Sequence, residues 1–431
     1  MKLLLQNATL IPMDSEDSRG LFFTGDLAVD GDRIAGVGRI PEDFTPDRTI
    51  DATSRVVLPG FVNSHTHAAM VLLRGYADDL PLMRWLEEEI WPAEAKLTAA
   101  DVYQGTLLGI AEMIRSGTTS FLDMYFFQDE VGRAIEETGM RGVLSRGLIG
   151  FDEDIDEKIA DNVAMKERFS GRADGRVSVL LGPHAPYTCM PEVLGKIIRA
   201  ARDNDMGIHI HVAETAGEVA DARRQWNKSP VKHLSDLGVF DLPTVAAHCV
   251  HVDEEDMVLL NEKNVSVAHN PESNLKLASG IAPVTRMLEL GINVSIGTDG
   301  ASSNNNLDLL EELHVASMLA KVQSGDATAL NAYQALQMAT VNGARALGFT
   351  DVGMLREGWK ADFIVVDTAD RPHLVPGYNP VSDLVYSAKS SDIAMTVVNG
   401  RILMEDRKLL TVDLDTVTRE VQAIAVSLAK G

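Results

Sequence analysis

The chain shows two textures of apolar and polar positions. From Val56 to about residue 355, short and nearly continuous apolar runs recur between stretches whose apolar residues fall three and four apart. The runs are Val56–Val62, Thr118–Asp123, Gly142–Leu148, Val177–Gly182, Ile208–Val212, Val245–Cys249, Val265–His269 and Val294–Gly297. The helical stretches between them are Ala99–Ser116, Glu130–Thr138, Glu157–Phe169, Pro191–Asn204, Val231–Leu237, Glu254–Lys263, Pro283–Leu290 and Leu307–Val322. Strands apolar on both faces belong to buried parallel sheets. Eight of them alternating with helices predict an α/β fold, a (β/α)8 TIM barrel over residues 56–355. The ends of the chain differ. Leu3–Ile11, Leu21–Val29 and Arg33–Val37 read as strands, the last two joined through the hairpin signal Asp30-Gly31-Asp32. Ala361–Asp367, Ala394–Val398 and Arg401–Met404 read likewise, around the turn Asn399-Gly400, and Leu414–Lys430 reads as a closing helix. This shared texture predicts one small β-sandwich domain built from both chain ends, residues 1–55 and 356–431.

Barrels of this kind carry their chemistry at the C-terminal ends of the strands. Of the chain's 11 histidines, His65, His67, His184, His211, His248 and His269 all fall at predicted strand ends, where chance placement would scatter them. His65 and His67 are two apart on an extended segment and share a face. A catalytic zinc takes imidazole nitrogens and a carboxylate and keeps one position open for water. His65, His67, His211 and Asp299 meet that need. His209 shares a face with His211 but lies further from the strand's C-terminal end, so it is expected beneath the site as a hydrogen-bonded core residue. Glu214, in the loop just beyond, is expected to carry a proton from water to substrate. His248 is expected to orient that water, and His269 to serve either as cleft wall or as partner of Asn270. Trp85 and Trp91 stand at helical spacing, as core or as cleft lining, while His233, His314 and His373 are expected on the surface.

Composition narrows the classes. The 431 residues are 45% hydrophobic, enough for a large core. A formal charge of −24 argues against nucleic-acid binding, which calls for a basic patch, and suits solubility in a cytoplasm. No apolar run reaches membrane length. Cys189 and Cys249 form no disulfide framework and no Cys-x-x-Cys pair, which points to a reducing compartment. The segment Met1–Asn7 turns polar too quickly for a signal peptide, so a cytoplasmic location is expected.

Pro59-Gly60-Phe61-Val62-Asn63-Ser64-His65-Thr66-His67, His211 with Glu214, His248, Gly297-Thr298-Asp299 and Gly358-Trp359-Lys360-Ala361-Asp362-Phe363 together resemble the amidohydrolase superfamily over almost the whole chain. Within it, Leu80–Leu86 running on to Ile90–Glu94, Gly182–Tyr187 and Gly300–Asn306 are similar to the chlorohydrolase/aminohydrolase branch, and there to its adenine-nucleoside deaminases. The resemblance implies hydrolytic deamination at C6 of an adenine nucleoside thioether, 5′-methylthioadenosine and/or S-adenosylhomocysteine, with adenosine a further candidate. Asp299 and Glu214 would contact the substrate, Glu94 would accept hydrogen bonds from ribose hydroxyls, Arg146 would line the pocket, and His184 would contact the purine. Val177–Gly182 lacks the bridging lysine of binuclear members, which implies one Zn2+ per subunit, with Fe2+ as the alternative. The implied partner is a small nucleoside rather than nucleic acid or membrane, in a homo-oligomer. The runner-up is a guanine-, cytosine- or triazine-type hydrolase with the same mononuclear metal core; the contrasting class is a non-catalytic scaffold, which would be expected to have lost ligands.

Overall fold

The computed structural model describes residues 1–14, 16, 18–169 and 171–430. Its centre is a sheet of eight parallel strands in sequential order: Phe61–Thr66, Thr118–Tyr125, Arg141–Leu148, Val177–Pro183, Ile208–Val212, Thr244–His248, Ser266–His269 and Asn293–Ile296. The eighth strand returns to the first. Ser64 Oγ donates to the Ile296 carbonyl at 2.7 Å, the Asp299 amide donates to the His65 carbonyl at 3.0 Å, and Thr66 bridges Asp299 in parallel. Gly297 lies at this seam. A Cβ there would stand 2.8 Å from both the nitrogen and the oxygen of His65, so only glycine lets the strands approach. The expected barrel is thus present, with helices between its strands.

One expected strand is divided. Val56–Val62 is two strands: Arg55–Pro59 pairs with Phe363–Asp367 in the other sheet, and Phe61–Thr66 begins the barrel. The break falls at Pro59-Gly60, where a Cβ on Gly60 would meet the Thr119 side chain at 2.1 Å. An apolar run cannot reveal which of two sheets its residues join, because both are buried here.

The second sheet has nine strands and draws on both ends of the chain. Its path runs Lys408–Leu409, Arg401–Glu405, Ile393–Val398, Phe363–Asp367, Arg55–Pro59, Lys2–Leu10, Phe23–Asp30 and Arg33–Gly38, with Arg48–Asp51 beside Lys2–Leu10. Alternation along these strands splits their apolar residues between two cores. Val57, Phe363 and Val365 face the sheet's own core with Leu3, Leu5 and Leu27, while Val56, Leu58, Ile364 and Val366 join the main core shared with the barrel helices. Arg141, at the start of the third barrel strand, pairs at 2.6 Å with the buried Asp362 and ties the two sheets together. Toward the barrel's N-terminal end, Val62, Leu122, Val143 and Val245 pack with Ala344, Leu347 and Val352. Among the described residues, no helix is long and apolar enough to cross a membrane.

Candidate active site

Three imidazoles meet at the C-terminal mouth of the barrel, each with its far nitrogen engaged. His67 Nδ1–H donates to the Met124 carbonyl, His211 Nδ1–H donates to the His184 carbonyl at 2.6 Å, and His65 Nδ1 lies 2.8 Å from His209 Nε2. Carbonyl oxygens can only accept, so the tautomers of His67 and His211 are set and their Nε2 lone pairs face inward. Those two nitrogens stand 3.4 Å apart, and His65 Nε2 beside them is fully buried without a hydrogen-bond partner. Asp299 closes the fourth side, its Oδ1 3.1 Å from His67 Nε2 and 3.3 Å from His65 Nε2. Its Oδ2 accepts from Ser273 Oγ at 2.6 Å and from Ser303 Oγ at 3.2 Å.

Inward imidazole nitrogens and one carboxylate, all buried together, suit a cation. Burial keeps most of the rings neutral: His65 and His248 are pushed down to about 4, His184 to about 3, and His211 well below the usual range. His67 is the exception. Burial opposes its charge, but Asp299 beside it raises it to about 9, a pull toward positive charge at the nitrogen that faces the carboxylate. The donor set fits a divalent ion: the ligand atoms of His65, His67 and His211 lie within 4.8 Å of one another, as do those of His65, His248 and Asp299. His248 therefore stands at the edge of this set as well as near Glu214.

Glu214 lies beyond the fifth strand, buried, with Oε2 3.8 Å from His248 Nε2 and Oε1 3.3 Å from Ser279 Oγ. Burial, and then the charge of Asp299, push its carboxyl up to about 8. His248 is steadied from behind by the amides of Asn274 and Asn270, 2.9 and 3.3 Å from its Nδ1. His209 takes the place expected for it, under His65, while His269 is buried outside the cleft lining.

Above the cluster lies an open cleft. Its floor includes His67, His211, Glu214, His248 and Asp299, and its walls include Trp85, Trp91, Phe126, Ile149, His184 and Tyr187. Glu94 reaches this cleft from the helical segment Leu82–Glu94. Burial pushes its carboxyl up to about 7, and Tyr125 offsets this only in part. The buried Tyr125 hydroxyl lies beside Glu94 and also faces the cleft. Both groups present polar atoms to the cleft.

Arg146 is the expected site residue that the structure does not bring in. It lies outside the cleft lining, where the adjacent Gly147 stands instead, and its Nη1 pairs with Asp161 of the following helix. Alternation along the third strand explains this: if residue 147 faces the lumen, residue 146 faces the helices. Two surface expectations also change. His233 is buried, its ring stacked 3.7 Å from Trp226, and His314 is half-buried against the Val385 carbonyl, whereas His373 is exposed. The supporting residues Ser273, Ser279, Ser303, Tyr125 and Glu218 were not anticipated. Single serines and a tyrosine at or beyond strand ends carry no spacing signal that separates them from ordinary structural residues.

Comparison with known proteins fits this geometry. Residues 56–403 match the amidohydrolase family. Over 99% of its length the chain is 50% identical to a 5-methylthioadenosine/S-adenosylhomocysteine deaminase of Pelotomaculum thermopropionicum, covering 98% of that protein. It is 49% identical to the protein of the same name from Thermoanaerobacter pseudethanolicus, covering 99% of each chain. Among solved structures it resembles an adenosine deaminase from Xanthomonas campestris with bound zinc, with a TM-score of 0.94 and 35% identity, over 100% of this chain and 99% of that one.

Proposed function

This chain belongs to the amidohydrolase family, and from that premise we propose that it is a metal-dependent hydrolytic deaminase of adenine nucleoside thioethers. Its substrates are 5′-methylthioadenosine and/or S-adenosylhomocysteine, with adenosine a further candidate, and its products are the inosine analogue and ammonia. One observation carries the reading: three inward imidazole nitrogens and Asp299 converge beside the buried Glu214 at the foot of an apolar cleft.

His65, His67, His211 and Asp299 would hold one Zn2+ per subunit; Fe2+ accepts the same ligands. Bound there, the ion supplies water acidified toward neutral pH. Asp299, steadied by Ser273 and Ser303, would take a proton from the attacking water, and His248 would orient it. Glu214 donates its proton to N1 of the purine, which draws electrons from C6. The water oxygen adds at C6, the proton taken by Asp299 passes to the leaving nitrogen, the C6–N6 bond breaks to release ammonia, and the remaining hydroxyl proton returns to Glu214 as the C6 carbonyl forms. Glu94 accepts from the ribose hydroxyls, His184 lies against the purine, and the apolar walls take the thioether. The free, buried thiols of Cys189 and Cys249 suit a cytoplasmic location, and a homo-oligomer follows from the family resemblance.

Ammonia release from 5′-methylthioadenosine, S-adenosylhomocysteine, adenosine, adenine, guanine and cytosine, with metal content measured on the same sample, tests this reading. Turnover of the nucleosides with about one metal per subunit is expected. Turnover of the free bases but not the nucleosides would overturn the substrate, and an inert metal-loaded protein would overturn the activity.

A further inference from the structure

We propose that Glu218 is a positioning residue for the proton carrier Glu214, an inference that rests on the deaminase reading above. Strand alternation sets the problem. His211 faces the lumen, so residue 213 should face it too and residue 214 should point away. Yet Glu214 lines the same cleft as His211. The reversal occurs at Ala213, whose backbone is left-handed with φ of 51°, a conformation that L-residues other than glycine adopt at a cost. Turning there takes the amides of Ala213 and Glu214 out of the strand ladder.

Glu218 receives both amides. Its Oε1 accepts from the Ala213 amide at 2.9 Å and its Oε2 from the Glu214 amide at 2.8 Å. Two bonds from one planar carboxylate fix the orientation of two successive peptide units. The other side of the turn is held by neighbouring backbone: Cys249 N–H donates to the Val212 carbonyl and His251 N–H to the Ala213 carbonyl, each at 2.9 Å. Thr215-Ala216-Gly217-Glu218 reads in sequence as a helix capping box, and Thr215 Oγ1 does accept from the Glu218 amide at 3.1 Å. The Glu218 carboxylate, however, reaches back past the cap to the residue that carries the proton.

Glu218→Gln keeps the size and one acceptor but sets an amide NH2 against the second backbone N–H. The expected result is a fall in kcat of at least tenfold, with KM for 5′-methylthioadenosine and metal content within twofold of the starting enzyme. Glu218→Asp should recover part of the loss. The cycle with Glu214→Gln is decisive: once Glu214 cannot carry a proton, adding Glu218→Gln should cost less than twofold more. Full additivity of the two losses, or an unchanged kcat in Glu218→Gln, overturns the positioning role. An unchanged kcat in Glu214→Gln alone overturns instead the reading on which it rests.

Discussion

Replacing Glu214 with glutamine separates proton transfer from everything else the cleft does. The carboxyl is 5% exposed, and burial followed by the charge of Asp299 raises it to about 8. At pH 7 there are then about ten protonated carboxyls for each carboxylate, at pH 8 parity, and at pH 9 about one in eleven. A donor must hold its proton to give it, so kcat should fall as pH rises through 8, by about tenfold per unit thereafter. Glutamine fits the same space and its oxygen can still accept from Ser279 Oγ, 3.3 Å away in the parent. It has no proton to transfer. Loss of a positioned acid–base group costs about 10² to 10⁴ in rate, equivalent to roughly 3–5 kcal/mol of barrier. Glu214 is not among the groups that fit the ion, so metal content should not change. Steady-state deamination of 5′-methylthioadenosine from pH 6 to 10, for parent and variant, with metal quantified in both, checks each point. A variant within tenfold of the parent at pH 7 would be refuting evidence, as would a parent kcat that holds level to pH 10.

Glu94→Ala should raise KM for nucleosides by about tenfold to a hundredfold, the worth of one or two hydrogen bonds to a charged group, with kcat within a few-fold; an unchanged KM would remove Glu94 from the ribose. His209→Leu takes away the group that engages His65 Nδ1, and chelator competition should show metal affinity about 10- to 100-fold weaker; equal affinity would show that His65 needs no such support. Arg141→Met leaves the buried Asp362 carboxylate without its cation and should cost about 3–5 kcal/mol in denaturant unfolding; a loss under about 1 kcal/mol would mean that the Asn399 amide, 2.6 Å from Asp362 Oδ1, already suffices.

The barrel was legible because its strands are apolar on both faces and eight such runs alternate with helices. The ligands were legible because strand ends are where a barrel exposes functional groups, and histidine is scarce enough for its clustering to stand out. Two kinds of feature were not. Short helices such as Ala332–Met338, Val341–Ala346 and Pro380–Tyr386 span too few residues to display a period. Side-chain direction at Arg146 was also hidden. A resemblance aligns residues, but whether a guanidinium turns to the cleft or to Asp161 depends on register within the strand and on which acids the next helix presents.

The strand-end backbone was the least legible of all, and it decides the site. Ala213, His248, Cys249 and Asp299 all adopt positive φ, from 48° to 73°, at the ends of the fifth, sixth and eighth strands. Each such conformation costs about 1–3 kcal/mol, a large share of the roughly 5–15 kcal/mol by which a typical fold is stable. None of the four is glycine, so no composition signal marks the turns. They persist because surrounding bonds over-determine them: Asp299 N–H to the His65 carbonyl, Cys249 N–H to Val212, and the paired amides on Glu218. Without the turn at residue 213, period-two alternation would send Glu214 to the helix side of the barrel, away from His211. The alternation rule that located the ligands therefore fails at the residue that must carry the proton. It fails because catalysis needs two neighbours in the chain, a ligand and an acid, to face the same cleft.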